Sequence, residues 1–177
     1  LCANEIDEAH VSDQAFFKCL GVERLSILDV SEYESANLIH DLNYPIDSEL
    51  YDSFDAIIDG GTLEHLFDVP TALANIGRLL KPGGRVIHLS PVNNTVNHGF
   101  YQFSPIFFFD FYSTNRFDQL NCHLLERNHS VHFPGSPRWY KVDSFENIFG
   151  SKNLEVAFTC IKRGDSTVDK KPTQGTY

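Results

Sequence analysis

Three aspartates and a serine stand where a short apolar run gives way to turn formers. Leu25–Leu28 runs into Asp29, Ala36–Ile39 into His40 and Asp41, Phe54–Ile58 into Asp59-Gly60-Gly61, and Arg85–Leu89 into Ser90-Pro91. Brief apolar runs bounded by turn residues read as buried strands. In an open α/β sheet, ligands bind beyond the carboxyl ends of the strands. Carboxylates gathered on such an edge must be solvated, paired or met by hydrogen-bond donors. A ribose diol, an amine or a sulfonium suits them; a bare phosphate does not. His65 follows Glu64 soon after the third run. An imidazole of unperturbed pKa about 6.5 suits general-base work near neutrality, and the same side chain can equally hold loop backbone. Past the fourth run, Asn93, Asn94, His98, Tyr101 and Gln102 offer donors and acceptors to a small polar substrate, a sugar for instance, or else order their own loop. His98 is the second candidate to accept a proton. His129 and His132 lie three positions apart with neither a helix nor a third ligand in view, so no metal site is assigned.

The elements that must position these groups follow from pattern. Ser12–Leu20 carries a capping serine and a run of apolar residues closed by Gly21, a helix with its stop. Asp68–Leu80 is a longer one: Asp68 caps, Pro70 sits in the first turn, and Val69, Ala72, Leu73, Ile76, Leu79 and Leu80 share a face. Lys81-Pro82-Gly83-Gly84 ends it. An aromatic-rich helix starts near Pro105, where Phe107, Phe108, Phe109, Phe111 and Tyr112 read as core. Two later strands, Phe117–Leu125 and Leu154–Ile161, flank an irregular stretch containing Pro134, Gly135 and Pro137. Trp139-Tyr140-Lys141 reads as an exposed contact. Residues 1–163 are expected to form one domain, and 164–177 a polar, flexible tail. Strands alternating with helices predict an α/β domain with a mostly parallel sheet covered on both faces.

The segment Phe54–Pro91 resembles class I S-adenosylmethionine-dependent methyltransferases, in particular a methyltransferase-like subgroup with a Leu-Glu-His signature. The residues that carry the likeness are Phe-Asp-Ala-Ile-Ile-Asp-Gly-Gly-Thr-Leu-Glu-His at 54–65 and Leu-Leu-Lys-Pro-Gly-Gly-Arg-Val-Ile-His at 79–88. The resemblance implies a Rossmann-like three-layer sandwich with an antiparallel strand near the C-terminus. It implies S-adenosyl-L-methionine as cofactor: Asp29 on the ribose hydroxyls, Asp41 at the adenine amino group, Leu42 on the ring, and Asp59, Gly60, Gly61 and Thr62 along the methionine side. The implied reaction moves a methyl group to an oxygen or nitrogen of a small polar acceptor, with His65 or His98 taking the proton. The family opens with a first strand and a Gly-rich turn; neither stands before Ser12, so the chain is expected to be incomplete at its N-terminus. A methyltransferase-like module that binds a ligand or partner without catalysis is the alternative. A nicotinamide-dependent dehydrogenase is a more distant one, since it needs a phosphate-cradling turn.

Composition narrows the field further. The 177 residues hold 14 Lys and Arg against 24 Asp and Glu, a formal charge of −10, which argues against a general nucleic-acid binder. No apolar run reaches the roughly 18 residues of a membrane span. Cys2, Cys19, Cys122 and Cys160 show no C-x-x-C spacing, and no signal-peptide layout opens the chain. Reduced thiols in a cytoplasmic protein are expected. A homodimer is compatible with an uncovered sheet edge.

Overall fold

The computed structural model describes residues 6–7, 10–32, 35–126, 138–142 and 150–174. His129, His132 and the turn residues Pro134, Gly135 and Pro137 lie outside them. The chain divides into two compact units, Leu1–Asp41 and Leu42–Tyr177.

In the first unit a short hairpin, β1 (Ile6–Asp7) and β2 (His10–Val11), leads into helix α1 (Asp13–Cys19). The Ser12 hydroxyl accepts from the Ala15 N–H at 3.2 Å, the N-cap its position predicts. Strands β3 (Leu28–Asp29) and β4 (Leu38–Ile39) pair in parallel, with Asp29 opposite Ile39. Both are much shorter than the apolar runs that announce them.

The second unit holds β5 (Phe54–Gly60), α2 (Val69–Leu79), β6 (Leu80–Asn93), α3 (Pro105–Thr114), β7 (Asp118–Glu126), β8 (Arg138–Lys141) and β9 (Leu154–Ile161). Its sheet runs in the order β5-β6-β9-β7-β8. Strands β5 and β6 are parallel, as a helical crossover through α2 requires. Strand β9 lies antiparallel between β6 and β7, and β8 adds antiparallel to β7. The tripeptide Trp139-Tyr140-Lys141 thus belongs to a strand, with Trp139 exposed on it.

Helix α2 begins as its sequence directs: Asp68 accepts from the Thr71 N–H at 3.1 Å, and Pro70 occupies the first turn. It buries Val69, Ala72, Leu73 and Ile76. The Lys-Pro-Gly-Gly segment lies near the start of β6, where the pairing with β5 shifts register between Phe54–Leu80 and Ala56–Arg85. Gly83 sits at φ +84°, and a Cβ at Gly84 would come within 2.8 Å of the Lys81 carbonyl oxygen, so both positions need glycine. One apolar cluster unites α2, the sheet and the aromatics of α3; Phe108 and Tyr112 each stack on Phe158 with ring centroids 5.5 Å apart. Cys122 and Cys160 are buried in it. Burial pushes the Cys122 thiol up to about 12, so it packs as an apolar group.

The stretch after Gly164, polar enough to read as a flexible tail, is tied down through residue 170. The buried Asn115 donates to the Lys170 carbonyl at 3.0 Å and accepts from the Lys170 N–H and the Thr167 hydroxyl. Val168 lies against Gly77 of α2, where a Cβ would stand 2.5 Å from its Cγ1. Polar composition conceals this anchoring because the bonds are made by a residue far away in sequence.

Candidate active site

The carboxyl end of β5 is where the second unit concentrates its polar groups. The parallel register sets Asp59 opposite His88 of β6. Asp59 is buried, with Oδ2 2.7 Å from His88 Nδ1, while its Oδ1 accepts from the Thr62 N–H at 2.9 Å. His88 Nε2 is 2.6 Å from the Tyr112 hydroxyl of α3. Burial, with Cys160 and Asp59 adding to it, pushes the Tyr112 phenol well above its usual range. The Asp59 carboxylate can only accept, so His88 Nδ1–H donates to it, and in the neutral tautomer Nε2 accepts from the Tyr112 hydroxyl. This buried chain fixes the end of β5 and the turn after it. Asp59 is thus a positioning residue for Gly60, Gly61 and Thr62. Its partners His88 and Tyr112 were not singled out for a site from sequence, although a histidine at an inward position of a strand was a readable signal.

Beyond Gly61, at φ +96°, the chain folds into a single 3-10 turn, Leu63–His65. Leu63 and Glu64 are buried and His65 is exposed. The loop 94–103 lies over this turn. The Phe100 N–H donates to the Glu64 carbonyl at 2.7 Å, and a Cβ at Gly99 would stand 2.7 Å from that same oxygen. Only glycine permits this approach. The result sets His98 Nε2 at 3.5 Å from Glu64 Oε1 and the rings of His65 and His98 at 5.0 Å, edge to face. Two candidates separated by the whole of α2 and β6 in sequence thus meet over one carboxylate.

Glu64 Oε2 and Ser90 Oγ are buried with no hydrogen-bond partner among the described residues. Burial holds the Glu64 carboxyl above its ordinary range, with the Asp59 charge adding and its own backbone N–H, His65 and His98 opposing. The sign for stability follows. With a raised folded pKa, the native state carries no penalty at acid pH and takes it on as pH rises through that pKa. Glu64→Gln is therefore expected to be near-neutral at pH 4 and stabilising at pH 8. Urea midpoints of chelator-treated protein at both pH values measure this.

The other polar loop residues have structural partners. Asn93 Oδ1 accepts from the Leu154 N–H, Asn94 donates to the Gly150 and Lys152 carbonyls, and Gln102 accepts from Thr95. The Tyr101 hydroxyl donates to the Phe67 carbonyl at 3.0 Å. These are the bonds of a loop ordered by its own side chains. Asp29, in the first unit, accepts from the Ser31 N–H at 2.9 Å and its hydroxyl at 3.2 Å; Asp41 is half-buried there. Leu42 packs on the core of the second unit. Within the second unit the structure brings together Asp59, Glu64, His65 and His98; Asp29 and Asp41 belong to the first unit.

Residues 13–86 match the family model described as a methyltransferase domain. Among solved structures, the chain is similar to a SAM-dependent methyltransferase, possible histamine N-methyltransferase, from Thermotoga maritima. The likeness has a TM-score of 0.52 at 18% identity, over 71% of this chain and 63% of that one. At that identity it speaks for the fold, a mixed α/β Rossmann-like sheet, and the chain spans less than two thirds of that protein's length. No curated protein gives a match. Among the described residues, no helix is long and apolar enough to cross a membrane.

Proposed function

We propose that this chain, whose residues 13–86 match a methyltransferase-domain model, uses S-adenosyl-L-methionine to methylate an oxygen or nitrogen of a small polar acceptor. The observation that carries the reading is the turn Asp59–His65. It lies at the carboxyl end of β5, inside the matched segment, with its glycines backed by a buried hydrogen-bonded chain. That is the edge where an α/β sheet takes its ligand.

The cofactor supplies an activated methyl on a sulfonium. The part of this chain would be to hold an acceptor atom in line with it, and rate enhancement in such a transfer comes chiefly from that alignment. In the second unit, Leu42, Gly60, Gly61 and Thr62 are the residues offered to the cofactor; Asp29 and Asp41 of the first unit carry the ribose and adenine roles by the resemblance alone, a carboxylate offering two acceptor oxygens to a diol. The acceptor's proton leaves toward His65 and His98. Phe67 and Phe100, edge to face at 5.7 Å and both exposed, continue the same surface and offer an apolar wall to the acceptor.

Calorimetric titration with S-adenosylhomocysteine tests the reading. The expected result is 1:1 binding that weakens by about tenfold to a hundredfold in Asp29→Ala, the loss of charge-assisted hydrogen bonds. Absence of heat and of thermal stabilisation at millimolar ligand would overturn it and leave the binding module without catalysis.

A further inference from the structure

The Glu64–His65–His98 cluster has more chemistry than a proton acceptor requires. One ligand-capable atom from each of the three residues lies within 4.8 Å of the other two. The carboxylate is buried and its Oε2 has no partner among the described residues. A buried carboxylate oxygen without a donor is costly unless something cationic or protonated meets it. The two imidazoles, by contrast, are exposed, so their rings can turn without repacking the core. Backbone fixes the cluster: the Phe100 N–H on the Glu64 carbonyl and the close passage of Gly99 hold loop 94–103, and with it His98, over the Leu63–His65 turn.

We propose that Glu64, His65 and His98 form a binding site for a first-row divalent transition cation such as Zn2+, a three-ligand site with its remaining position open to solvent. Two neutral imidazoles and one carboxylate suit such an ion. Mg2+ and Ca2+ prefer oxygen-only shells and are poor occupants. Metal–ligand bonds of about 2.0–2.2 Å require ligand atoms somewhat over 3 Å apart. Glu64 Oε1 and His98 Nε2, at 3.5 Å, are nearly there, and the exposed His65, with its ligand atom within 4.8 Å of the others, supplies the third. An oxygen of a small molecule would take the open position. If the methyl-transfer reading holds, that oxygen would belong to the acceptor, and with both histidines committed to the cation its proton would pass to water instead of to His65 or His98. This last consequence rests on the methyl-transfer reading; the cation site does not.

The full chain, stripped with a chelator, is titrated with Co2+ as a visible-spectrum probe and with Zn2+ in competition. One equivalent of Co2+ is expected to bind, with d–d bands that Zn2+ abolishes and a tenfold excess of Mg2+ leaves in place. His65→Ala and His98→Ala are each expected to weaken binding by more than the about 10–100-fold that losing a mere supporting group costs. Replacing His129 and His132 together is expected to leave binding as it was. Glu64→Gln is expected to weaken binding too, but its burial makes the two exposed histidine variants, checked by circular dichroism, the decisive ones. Binding in the His65→Ala/His98→Ala double variant within twofold of the parent overturns the proposal. So does failure of the parent to bind Co2+ or Zn2+ at millimolar concentration, or displacement by Mg2+. Calorimetry with S-adenosylhomocysteine is run separately on the stripped protein, so failure of either reading shows without the other.

Discussion

Asp59→Ala is expected to lower the unfolding free energy of the second unit by about 3 kcal/mol or more. Its carboxylate accepts from two N–H groups, His88 Nδ1–H and the Thr62 amide, and all of this is buried except for Thr62. Truncation leaves a buried imidazole N–H with no acceptor, and the cost of an unmade buried hydrogen bond exceeds the benefit of a made one. Two comparisons separate hydrogen bonding from charge and from packing. Asp59→Asn keeps one acceptor oxygen for His88 but turns an amide group toward Thr62, so it should recover part of the loss. Tyr112→Phe removes only the hydroxyl donated to His88 Nε2 and should cost about 1–2 kcal/mol. Urea midpoints at constant slope rank the three. If Asp59→Ala falls within 0.5 kcal/mol of the parent, roughly the size of an uninvolved surface change, the buried chain is not what fixes the turn.

Asn75→Ala should cost comparably, about 3–5 kcal/mol. This fully buried side chain of α2 serves three backbone groups: it accepts from the Ile46 N–H at 2.9 Å and donates to the carbonyls of Leu42 and Tyr44 at 3.2 and 2.8 Å. It is the fastening between the segment that enters the second unit and the helix beneath. For a protein of this size the loss is worth about 10 °C in Tm at about 2–4 °C per kcal/mol. Asn75→Leu, which fills the space but makes none of the bonds, should lose about as much. Recovery of stability by leucine would make the effect one of volume instead.

How far the sequence speaks depends on where each signal resides. Helices α1, α2 and α3 are legible because cap, proline and apolar spacing are local: Ser12, Asp68 and Pro105 stand at or beside their starts. Strands β5, β7 and β9 are equally plain. The apolar runs at Leu25–Leu28 and Ala36–Ile39 overstate their strands, since pairing requires a partner and β3 and β4 share only two residue pairs. Strand β8 was missed because Arg-Trp-Tyr-Lys has polar ends and no alternation to announce it. At the site, His65 and His98 were legible as residue types and their meeting over Glu64 was not. That encounter depends on backbone bonds from Phe100 and Tyr101 to the Glu64 carbonyl, which no side-chain pattern encodes. Glu64 itself looked like part of a signature, and only its burial shows it as the centre of the cluster.

The place of β9 bears on how the second unit comes into being. Among the described strands of the second unit it comes latest in the sequence, and in the sheet it lies between β6 and β7. Until residues 154–161 emerge, β5 with β6 and β7 with β8 are two separate ribbons, each displaying an unpaired edge that another nascent chain could capture. Synthesis from the N-terminus therefore cannot finish this sheet piece by piece. It closes in one late step, when β9 bridges sequence separations of some sixty residues or more to β6, the kind of long-range pairing that slows folding. A chaperone that shields those two edges would matter most in that interval.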